Sequence, residues 1–364
     1  METPNPLRRV ANVHVRELEP LRPPVAYKAN MPLTIEARRT VADARETIQR
    51  ILRRVDRRLL VVIGPCSIHD VDAALDYAER LNRLRQQLHD RLFIVMRTYL
   101  EKPRTTVGWR GLINDPQLDG SFNMGEGLRI ARSLLLQINA MGLPVATEML
   151  DPISPQYLDD QISLGTIGAR TTEAQTHRAL ASGVSMPVGF KNGTDGGIQV
   201  AVNACLSAAA PHSFLGIDED GRSAVVRTTG NPDSFVILRG GRGGPNYQAE
   251  HVVQAARLMS ESHLQPNVMI DCSHANAEGD YRRQEAVLHR VVEQVIAEPG
   301  GALIGVMLES NIHEGKQQLT SDHSTLRYGV SLTDGCVSWE TTERLLAETH
   351  LALDRASKIV EGEA

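Results

Sequence analysis

Six cationic side chains could form a binding site for an anion. They are Arg97, Lys102, Arg104, Arg170, Lys191 and Arg239. Several positive charges brought to one place would repel one another unless an anion bound among them. Guanidinium groups bind phosphate and carboxylate through pairs of parallel hydrogen bonds. The set therefore indicates a site for a phosphorylated or carboxylated ligand, and the alternative is that some of these side chains form ion pairs on the surface.

A second set combines a thiol, an imidazole and two carboxylates. Its members are Cys66, His274, Glu309 and Asp334. Such a mixture suits a divalent transition metal such as Mn, Fe, Co, Ni, Cu or Zn. The alternative is that the cysteine is core packing and that the histidine is a satisfied polar group. We interpret Cys205, Cys272 and Cys336 as core packing.

Lys191 has a second possible role. A lysine in the mouth of a barrel can form a Schiff base with a carbonyl substrate, and neighbouring cations lower its pKa toward that use. The presence of a complete metal set elsewhere favours a phosphate-binding role for Lys191.

Eight short apolar runs are predicted to position these residues. They fall at 59–63, 92–96, 145–149, 165–169, 188–191, 234–238, 267–271 and 303–308. The runs do not alternate between polar and apolar residues, which is typical of buried parallel strands. Amphipathic patterns at 71–88, 128–141, 249–264 and 340–360 predict helices between and after them.

Eight strand–helix units are what a (β/α)8 barrel requires, and the 251 residues from 59 to 309 match the roughly 250 of such a barrel. Chemistry in barrel enzymes collects at the carboxyl ends of the strands. The cations follow the second, fourth, fifth and sixth predicted strands. The metal set follows the first, seventh and eighth, which are neighbours in a closed barrel. A doubly wound open sheet is the competing fold, but no Gly-x-Gly-x-x-Gly motif follows the first strand.

Two segments lie outside the barrel pattern. Residues 1–58 form an N-terminal extension with one predicted helix at 34–54, and residues 59–364 form the catalytic barrel. Residues 213–229 predict a β-hairpin around a turn at 219–221, inserted between the fifth and sixth strands. Such insertions serve as interface or regulatory elements, or they decorate the surface.

Composition excludes several function classes. The 364 residues carry a net charge of −5, only 4% are aromatic, and no basic block occurs, which argues against nucleic-acid binding. No apolar run is long enough for a membrane span, and the first 20 residues lack the apolar core of a secretory signal. The four cysteines are far apart, so we expect no disulfide framework and a cytoplasmic location.

Five sequence blocks resemble the type I DAHP synthases, where DAHP is 3-deoxy-D-arabino-heptulosonate 7-phosphate. The blocks are Gly-Pro-Cys-Ser-Ile-His-Asp (64–70), Glu-Lys-Pro-Arg-Thr-Thr-Val-Gly-Trp (101–109), Ile-Gly-Ala-Arg-Thr-Thr-Glu (167–173), Pro-Val-Gly-Phe-Lys-Asn-Gly-Thr (187–194) and Ser-His-Ala-Asn (273–276). The resemblance covers nearly the whole chain. It implies that the enzyme condenses phosphoenolpyruvate with erythrose 4-phosphate, releases phosphate, and opens the shikimate pathway. It also implies one divalent metal per subunit (Mn, Fe, Co or Zn).

The resemblance assigns roles to individual residues. The metal ligands it implies are Cys66, His274, Glu309 and Asp334. The phosphoenolpyruvate site it implies is Arg97, Lys102, Ala169, Arg170, Lys191, Arg239 and His274. The contacts to erythrose 4-phosphate it implies are Lys102, Pro103, Arg104, Thr105 and Asp334. Lys102 and His274 are the candidates for catalytic proton transfer.

Feedback inhibition is a further implication, because enzymes of this type that carry the hairpin bind an aromatic amino acid. The matching positions are Pro155, Gln156, Gly183, Val184, Ser185, Phe214, Gly216 and Val226. Gly216 leaves room for a phenolic hydroxyl, so we expect tyrosine as the effector, with phenylalanine as the alternative. The alternative interpretation is that position 216 is glycine because the hairpin backbone requires it, without any role in effector binding. We also expect a homodimer or homotetramer.

One departure and two rivals remain. The stretch 239–247 is one residue longer than is common in the family, which leaves the role of Arg242 open. The nearest rival is another metal-assisted, phosphoenolpyruvate-dependent sugar-acid phosphate synthase that acts on a five-carbon aldose phosphate. The Lys-Pro-Arg-Thr motif at 102–105 and the two extra segments argue against it. A catalytically dead barrel is disfavoured because none of the matched central residues is missing.

Overall fold

The computed structural model describes residues 10–361, and most of its strands close into a barrel. In chain order the strands are β1 (Leu59–Gly64), β2 (Leu92–Arg97), β3 (Val145–Glu148), β4 (Leu164–Ile167), β5 (Val188–Lys191), β6 (Ser213–Ile217), β7 (Ser223–Arg227), β8 (Ser234–Leu238), β9 (Val268–Asp271) and β10 (Leu303–Glu309). All except β6 and β7 pair in parallel in the order β1-β10-β9-β8-β5-β4-β3-β2, and the sheet is closed. The predicted (β/α)8 barrel is confirmed.

Helices surround the barrel. In chain order they are α1 (Pro24–Asn30), α2 (Ile35–Leu52), α3 (Val71–Gln87), α4 (Met124–Ala140), α5 (Ser154–Leu158), α6 (Gln175–Ala181), α7 (Gln199–Ala209), α8 (Ala249–Glu261), α9 (Gln284–Ala297) and α10 (Trp339–Glu361). Each of α3 to α10 follows one barrel strand. Side-chain caps fix where helices begin: the Asp70 carboxylate accepts a hydrogen bond from the Ala73 amide at 3.0 Å and so starts α3 directly after the loop that follows β1.

Helix α2 closes the amino-terminal end of the barrel. Its residues Ala44, Ile48 and Ile51 belong to the same buried apolar cluster as Leu60, Val62 and other side chains from alternate strand positions. Because this end is filled by an apolar plug, the opposite end is left as the place where polar side chains can meet a ligand.

The hairpin prediction is confirmed by β6 and β7, but the prediction of a single helix before the barrel was incomplete. Helix α1 was missed because its seven residues are too few to show a helical period, and tertiary contacts hold it. The Tyr27 ring packs edge-on against Tyr157 at 5.3 Å, and the Val25 amide donates to the Glu219 carbonyl in the hairpin turn at 2.9 Å. Helix α1 therefore lies against the hairpin turn.

None of the helices in the described part of the chain is both long enough and apolar enough to cross a lipid bilayer.

We predict that Ile48→Ala lowers the free energy of unfolding by about 2–5 kcal/mol. The Ile48 side chain is 0% exposed, so the substitution opens a cavity in the apolar plug. Urea denaturation followed by circular dichroism measures the change. Ile35→Ala, at a 75% exposed position of the same helix, is the matched control and should change it by less than about 0.5 kcal/mol. Equal effects of the two substitutions would contradict the role given to α2.

Candidate active site and metal centre

A cavity of about 320 Å³ opens at the carboxyl ends of the strands, and all six cations of the sequence analysis line it. The remaining predicted ligand contacts in its wall are Pro103, Thr105, Ala169, His274 and Asp334. Glu148 and Asp334 are its acidic lining residues, so positive charge is in excess around the cavity. The closed barrel thus brings together residues that are up to 237 positions apart in the sequence, from Arg97 to Asp334.

Three of the four predicted metal ligands converge beside this cavity, and Asp334 is the one of the three that lines it. Strand pairing sets Gly64 beside Glu309, and the chain turns through Pro65 to Cys66. Ligand atoms of Cys66, Glu309 and Asp334 all lie within 4.8 Å of one another, with the Cys66 Sγ 3.5 Å from Asp334 Oδ2. A thiol with two carboxylates suits a borderline divalent metal.

His274 stands next to this group. Its Nε2 lies 3.9 Å from Glu309 Oε1, while its Nδ1 faces Asp271 Oδ2 at 3.1 Å and the Ser273 hydroxyl at 2.5 Å. A carboxylate behind the ring fixes the orientation of a metal-ligating histidine and leaves the other nitrogen for the metal. The backbone of His274 is left-handed (φ +59°), a strained conformation that is concentrated at functional sites.

The Cys66 thiol is fully buried and holds its proton in the free protein. Burial raises its pKa to about 12, and the Glu309 carboxylate acts in the same direction, while Lys102 opposes both. The Lys102 Nζ lies 3.2 Å from Sγ. Since metals bind the thiolate, a metal ion held here would displace the thiol proton, and Lys102 would stabilise the resulting charge.

Arg97 forms the deepest ion pair of the site. The guanidinium is 0% exposed, and its Nη2 donates to Glu309 Oε1 at 2.9 Å and to the Cys66 carbonyl at 3.2 Å. Its Cζ lies 3.5 Å from the centre of the Tyr99 ring. Burial alone would lower the pKa of Arg97, but Tyr99 and Glu309 outweigh it and raise that pKa, so the side chain stays cationic.

Asp271 is a site residue to which the sequence analysis gave no role. Its Oδ2 accepts from Lys191 Nζ at 2.6 Å, and both side chains are almost fully buried. Burial would raise the pKa of Asp271, but Lys191 and His274 lower it well below its usual value. Asp271 is therefore a fixed negative charge between the two. Its place at the end of the seventh predicted strand was the one available signal.

The other cations are less compensated. Within residues 10–361, Arg104, Arg170 and Arg239 form no ion pair. Arg170 donates to the Pro103 carbonyl at 3.2 Å and to Thr105 Oγ1 at 3.1 Å. These bonds tie the loop that carries Arg104 to the cavity rim. Three guanidinium groups without carboxylate partners leave charge available for an anionic ligand.

Glu148 was also given no role by the sequence. It lines the cavity, is 7% exposed, and its Oε1 has no hydrogen-bond partner. A buried carboxylate oxygen without a partner, in a cavity rich in cations, is a ready acceptor for a ligand or a water molecule.

The positions expected to bind an effector lie on three segments outside the cavity. They are Pro155 and Gln156 on α5, Gly183, Val184 and Ser185 after α6, and Phe214, Gly216 and Val226 on the hairpin. Ser182 Oγ lies 2.7 Å from Thr228 Oγ1, which joins the second segment to the third. Lys28 of α1 lies 3.6 Å from Asp159 and 3.9 Å from Glu219, so it bridges the first segment and the hairpin turn.

The long loop after β8 closes as a tight turn. The Gly241 amide donates to the Gly244 carbonyl at 2.9 Å, and the reverse bond is 3.0 Å, which puts Arg242 at the exposed tip. The additional residue is thus absorbed in a turn, and Arg239 keeps its place in the cavity wall.

Comparison with known proteins gives a single family. A sequence profile of the DAHP synthetase I family matches residues 14–347. The chain is 54% identical over 343 residues to the phospho-2-dehydro-3-deoxyheptonate aldolase, Tyr-sensitive, of Escherichia coli (strain K12), covering 94% of this chain and 96% of that one. It is 55% identical over 339 residues to the Phe-sensitive protein of the same organism, covering 93% and 95%. The solved phospho-2-dehydro-3-deoxyheptonate aldolase of Francisella tularensis SCHU S4 superimposes with a TM-score of 0.91 at 44% identity, covering 93% of this chain and 98% of that one.

We predict that Cys66→Ser weakens binding of Mn²⁺ by more than about 100-fold, because even changes behind the ligands cost roughly 10–100-fold. Metal content after equilibrium dialysis measures this. Cys205→Ala is the matched control, since Cys205 is equally buried but lies in helix α7 away from the cavity, and this variant should keep its metal. Unchanged metal binding by Cys66→Ser would contradict the assigned centre.

Proposed function

The chain belongs to the DAHP synthetase I family and condenses phosphoenolpyruvate with erythrose 4-phosphate and water, and we propose that the cation-lined cavity is where it does so. The products are DAHP and inorganic phosphate, the first step of the shikimate pathway. The observation that carries the proposal is the gathering of six cations around a cavity with a Cys/Glu/Asp group beside it. Both substrates carry phosphate, and one also carries a carboxylate.

Within the cavity we assign phosphoenolpyruvate to the inner cations. The contacts are Arg97, Lys102, Ala169, Arg170, Lys191, Arg239 and His274. Erythrose 4-phosphate is assigned to the outer wall. Its contacts are Lys102, Pro103, Arg104, Thr105 and Asp334. Arg104, Arg170 and Arg239 have no carboxylate partner within residues 10–361, and this supports the assignment because free guanidinium forks suit the phosphate groups of the substrates.

The reaction requires that the two anionic substrates be held in contact and that a proton donor be available. C3 of phosphoenolpyruvate attacks the aldehyde carbon, C2 then takes up water, and the bond between C2 and the phosphate oxygen breaks. The cations hold the two substrates against their mutual repulsion and stabilise the charge that develops during addition. Lys102 belongs to both assigned sites and His274 to the phosphoenolpyruvate site, and we propose that these two residues supply the proton that the aldehyde oxygen gains.

The metal centre is assigned to Cys66, Glu309, Asp334 and His274, with one ion per chain. The family is a family of metalloenzymes, and we propose Mn, Fe, Co or Zn on the basis of the mixed thiol and carboxylate donors. A divalent ion bound there would polarise the aldehyde oxygen of erythrose 4-phosphate as a Lewis acid. Asp271 behind the His274 ring would keep Nε2 turned toward the ion.

We propose that tyrosine is the feedback inhibitor and that it binds at the effector positions given above. Overall identity does not decide the effector, since the Tyr-sensitive and Phe-sensitive relatives match equally well. The support is local. Gly216 has no positive φ, so its backbone does not require glycine. A Cβ there would lie 2.9 Å from Val226 Cγ2, so a side chain would take up the space that glycine leaves open.

The two segments outside the barrel are proposed to serve regulation and association. Helix α1 of the N-terminal segment packs on the hairpin. The outward hairpin face carries Leu215 and Val225, which are 86% and 57% exposed and directly opposite each other. This exposed apolar pair supports a homodimer or homotetramer. We also propose a cytoplasmic location, as the widely spaced cysteines led us to expect.

We predict that the purified protein releases phosphate from phosphoenolpyruvate only when erythrose 4-phosphate is present. EDTA should abolish the release and Mn²⁺ should restore it. Replacing erythrose 4-phosphate by arabinose 5-phosphate should give no release, which separates this enzyme from a five-carbon sugar-acid synthase. Release that survives chelation, together with borohydride trapping at Lys191, would instead mean Schiff-base chemistry.

We predict that Gly216→Ser weakens inhibition by tyrosine by about tenfold or more, because the new side chain displaces Val226 and fills the space beside it. Inhibition curves with tyrosine and phenylalanine measure this, with kcat and KM unchanged in the absence of effector. Ser223→Ala, on the outward face of the same hairpin, is the control. If phenylalanine inhibits the wild type and tyrosine does not, the effector assignment fails while the chemistry stands.

A further inference from the structure

Three buried asparagines join the three chain segments that carry Lys191, Arg239 and His274. Asn192 follows Lys191 directly, Asn246 ends the loop that begins at Arg239, and Asn276 comes two residues after His274. They are 0%, 4% and 3% exposed. We propose that these asparagines, the asparagine triad, are positioning residues that set where Arg239 stands relative to Lys191. The inference rests on the proposed assignment of Arg239 to phosphoenolpyruvate.

The Asn192 side chain forms hydrogen bonds with the backbone after β5 and with the backbone after β8. Its Oδ1 accepts from the Arg239 amide at 2.8 Å, and its Nδ2 donates to the Gly240 carbonyl at 2.9 Å and the Gly193 carbonyl at 2.8 Å. The Asn192 side chain, next to Lys191, therefore holds both the Arg239 amide and the carbonyl of the following residue, Gly240.

Asn246 completes the enclosure of Gly240. Its Oδ1 accepts from the Gly240 amide at 2.6 Å, and its Nδ2 donates to Asn192 Oδ1 at 3.2 Å. Both peptide groups that flank Gly240 are thus held by asparagine side chains. Because these bonds are buried, leaving one donor unpaired is costly, and the segment has little freedom to shift.

Asn276 ties this pair to the strand that bears Asp271. Its Oδ1 accepts from the Asn246 amide at 2.8 Å, and its Nδ2 donates to the carbonyls of Asp271 at 2.8 Å and Leu238 at 3.1 Å. The triad therefore spans β5, β8 and β9, which are consecutive in the barrel.

The glycines between these loops confirm that the backbones meet closely. Gly240 has φ +75°, and a Cβ there would lie 2.7 Å from the Ala275 Cβ. A Cβ on Gly241 would lie 2.2 Å from the Gly196 amide nitrogen. Only glycine allows this approach, so the loops are packed as one unit.

Arg239 depends on its backbone more than the other inner cations do. Arg97 and Lys191 are each held by a carboxylate, at 2.9 and 2.6 Å. Among the described residues the Arg239 guanidinium makes one hydrogen bond, a long one of 3.4 Å to the Gly240 carbonyl. The position of the Arg239 guanidinium in the cavity is consequently set by the Arg239 main chain, and the asparagine triad holds that main chain in place.

The test is a double-mutant cycle on the metal-loaded enzyme, with phosphoenolpyruvate binding measured by calorimetry. We expect Asn246→Ala to weaken binding by about tenfold or more in the wild type, because small misplacements of a binding group are costly. In the Arg239→Ala background the same change should weaken binding by less than about twofold. KM for erythrose 4-phosphate should stay within about twofold.

Asn139→Ala is the matched control. Asn139 is also 0% exposed, and its Nδ2 bridges the Leu135 and Gln161 carbonyls, but it lies at the amino-terminal side of the barrel. It should lower the urea midpoint without changing phosphoenolpyruvate affinity. If Asn246→Ala does not fold, Asn246→Asp replaces it, since the carboxylate still accepts from the Gly240 amide but cannot donate to Asn192.

The outcomes separate the two proposals. If Arg239→Ala leaves binding unchanged, the assignment of the phosphoenolpyruvate site is wrong. If Arg239→Ala weakens binding but the Asn246 variants do not, or if the two effects add fully, the asparagine triad has only a structural role and the inference is overturned.

Discussion

Positive charge concentrated at one end of a closed barrel is the constraint on which the rest of this structure depends. The charges are tolerable only where each has a carboxylate, a carbonyl or an anionic ligand beside it. Arg97 shows the extreme case, since it is fully buried and held by Glu309 and the Cys66 carbonyl. Lys191 is held by Asp271 in the same way. Arg104, Arg170 and Arg239 remain without a carboxylate partner in the described part of the chain, and we propose that the phosphorylated substrates supply the missing negative charge there.

The two ends of the barrel differ in polarity, and this difference places the positive charges at one end. Helix α2 fills one end with apolar side chains, and the cation-lined cavity lies at the other. Closure of the sheet between β1 and β10 then makes Cys66 and Glu309 neighbours although 243 positions separate them. The same Glu309 carboxylate contacts Arg97 and belongs to the Cys/Glu/Asp group, so the proposed phosphoenolpyruvate site and the proposed metal site share one buried anion.

The barrel strands and most of the cavity-lining residues were predictable from the sequence, because the signals for them lie in short stretches of neighbouring residues. Buried parallel strands are continuous apolar runs, so all eight were found, and the residues that follow them lie at the mouth because a barrel leaves them nowhere else. Contacts that depend on three-dimensional detail were missed. Asp271 and the asparagine triad form hydrogen bonds between segments that are distant in sequence, and Glu148 is a buried carboxylate whose place in the cavity wall no local pattern marks. Helix α1 owes its helical structure to Tyr27 and the hairpin rather than to its own pattern.

The most direct test of the central claim is calorimetric titration of phosphoenolpyruvate into the metal-loaded enzyme over a series of salt concentrations. The Debye length falls from roughly 30 Å at 0.01 M to about 3 Å at 1 M ionic strength, so attraction by partly exposed arginines should weaken across this range. We expect one site per chain, competition by inorganic phosphate, and an affinity that falls steadily with salt. Binding that is indifferent to both salt and phosphate would contradict the account.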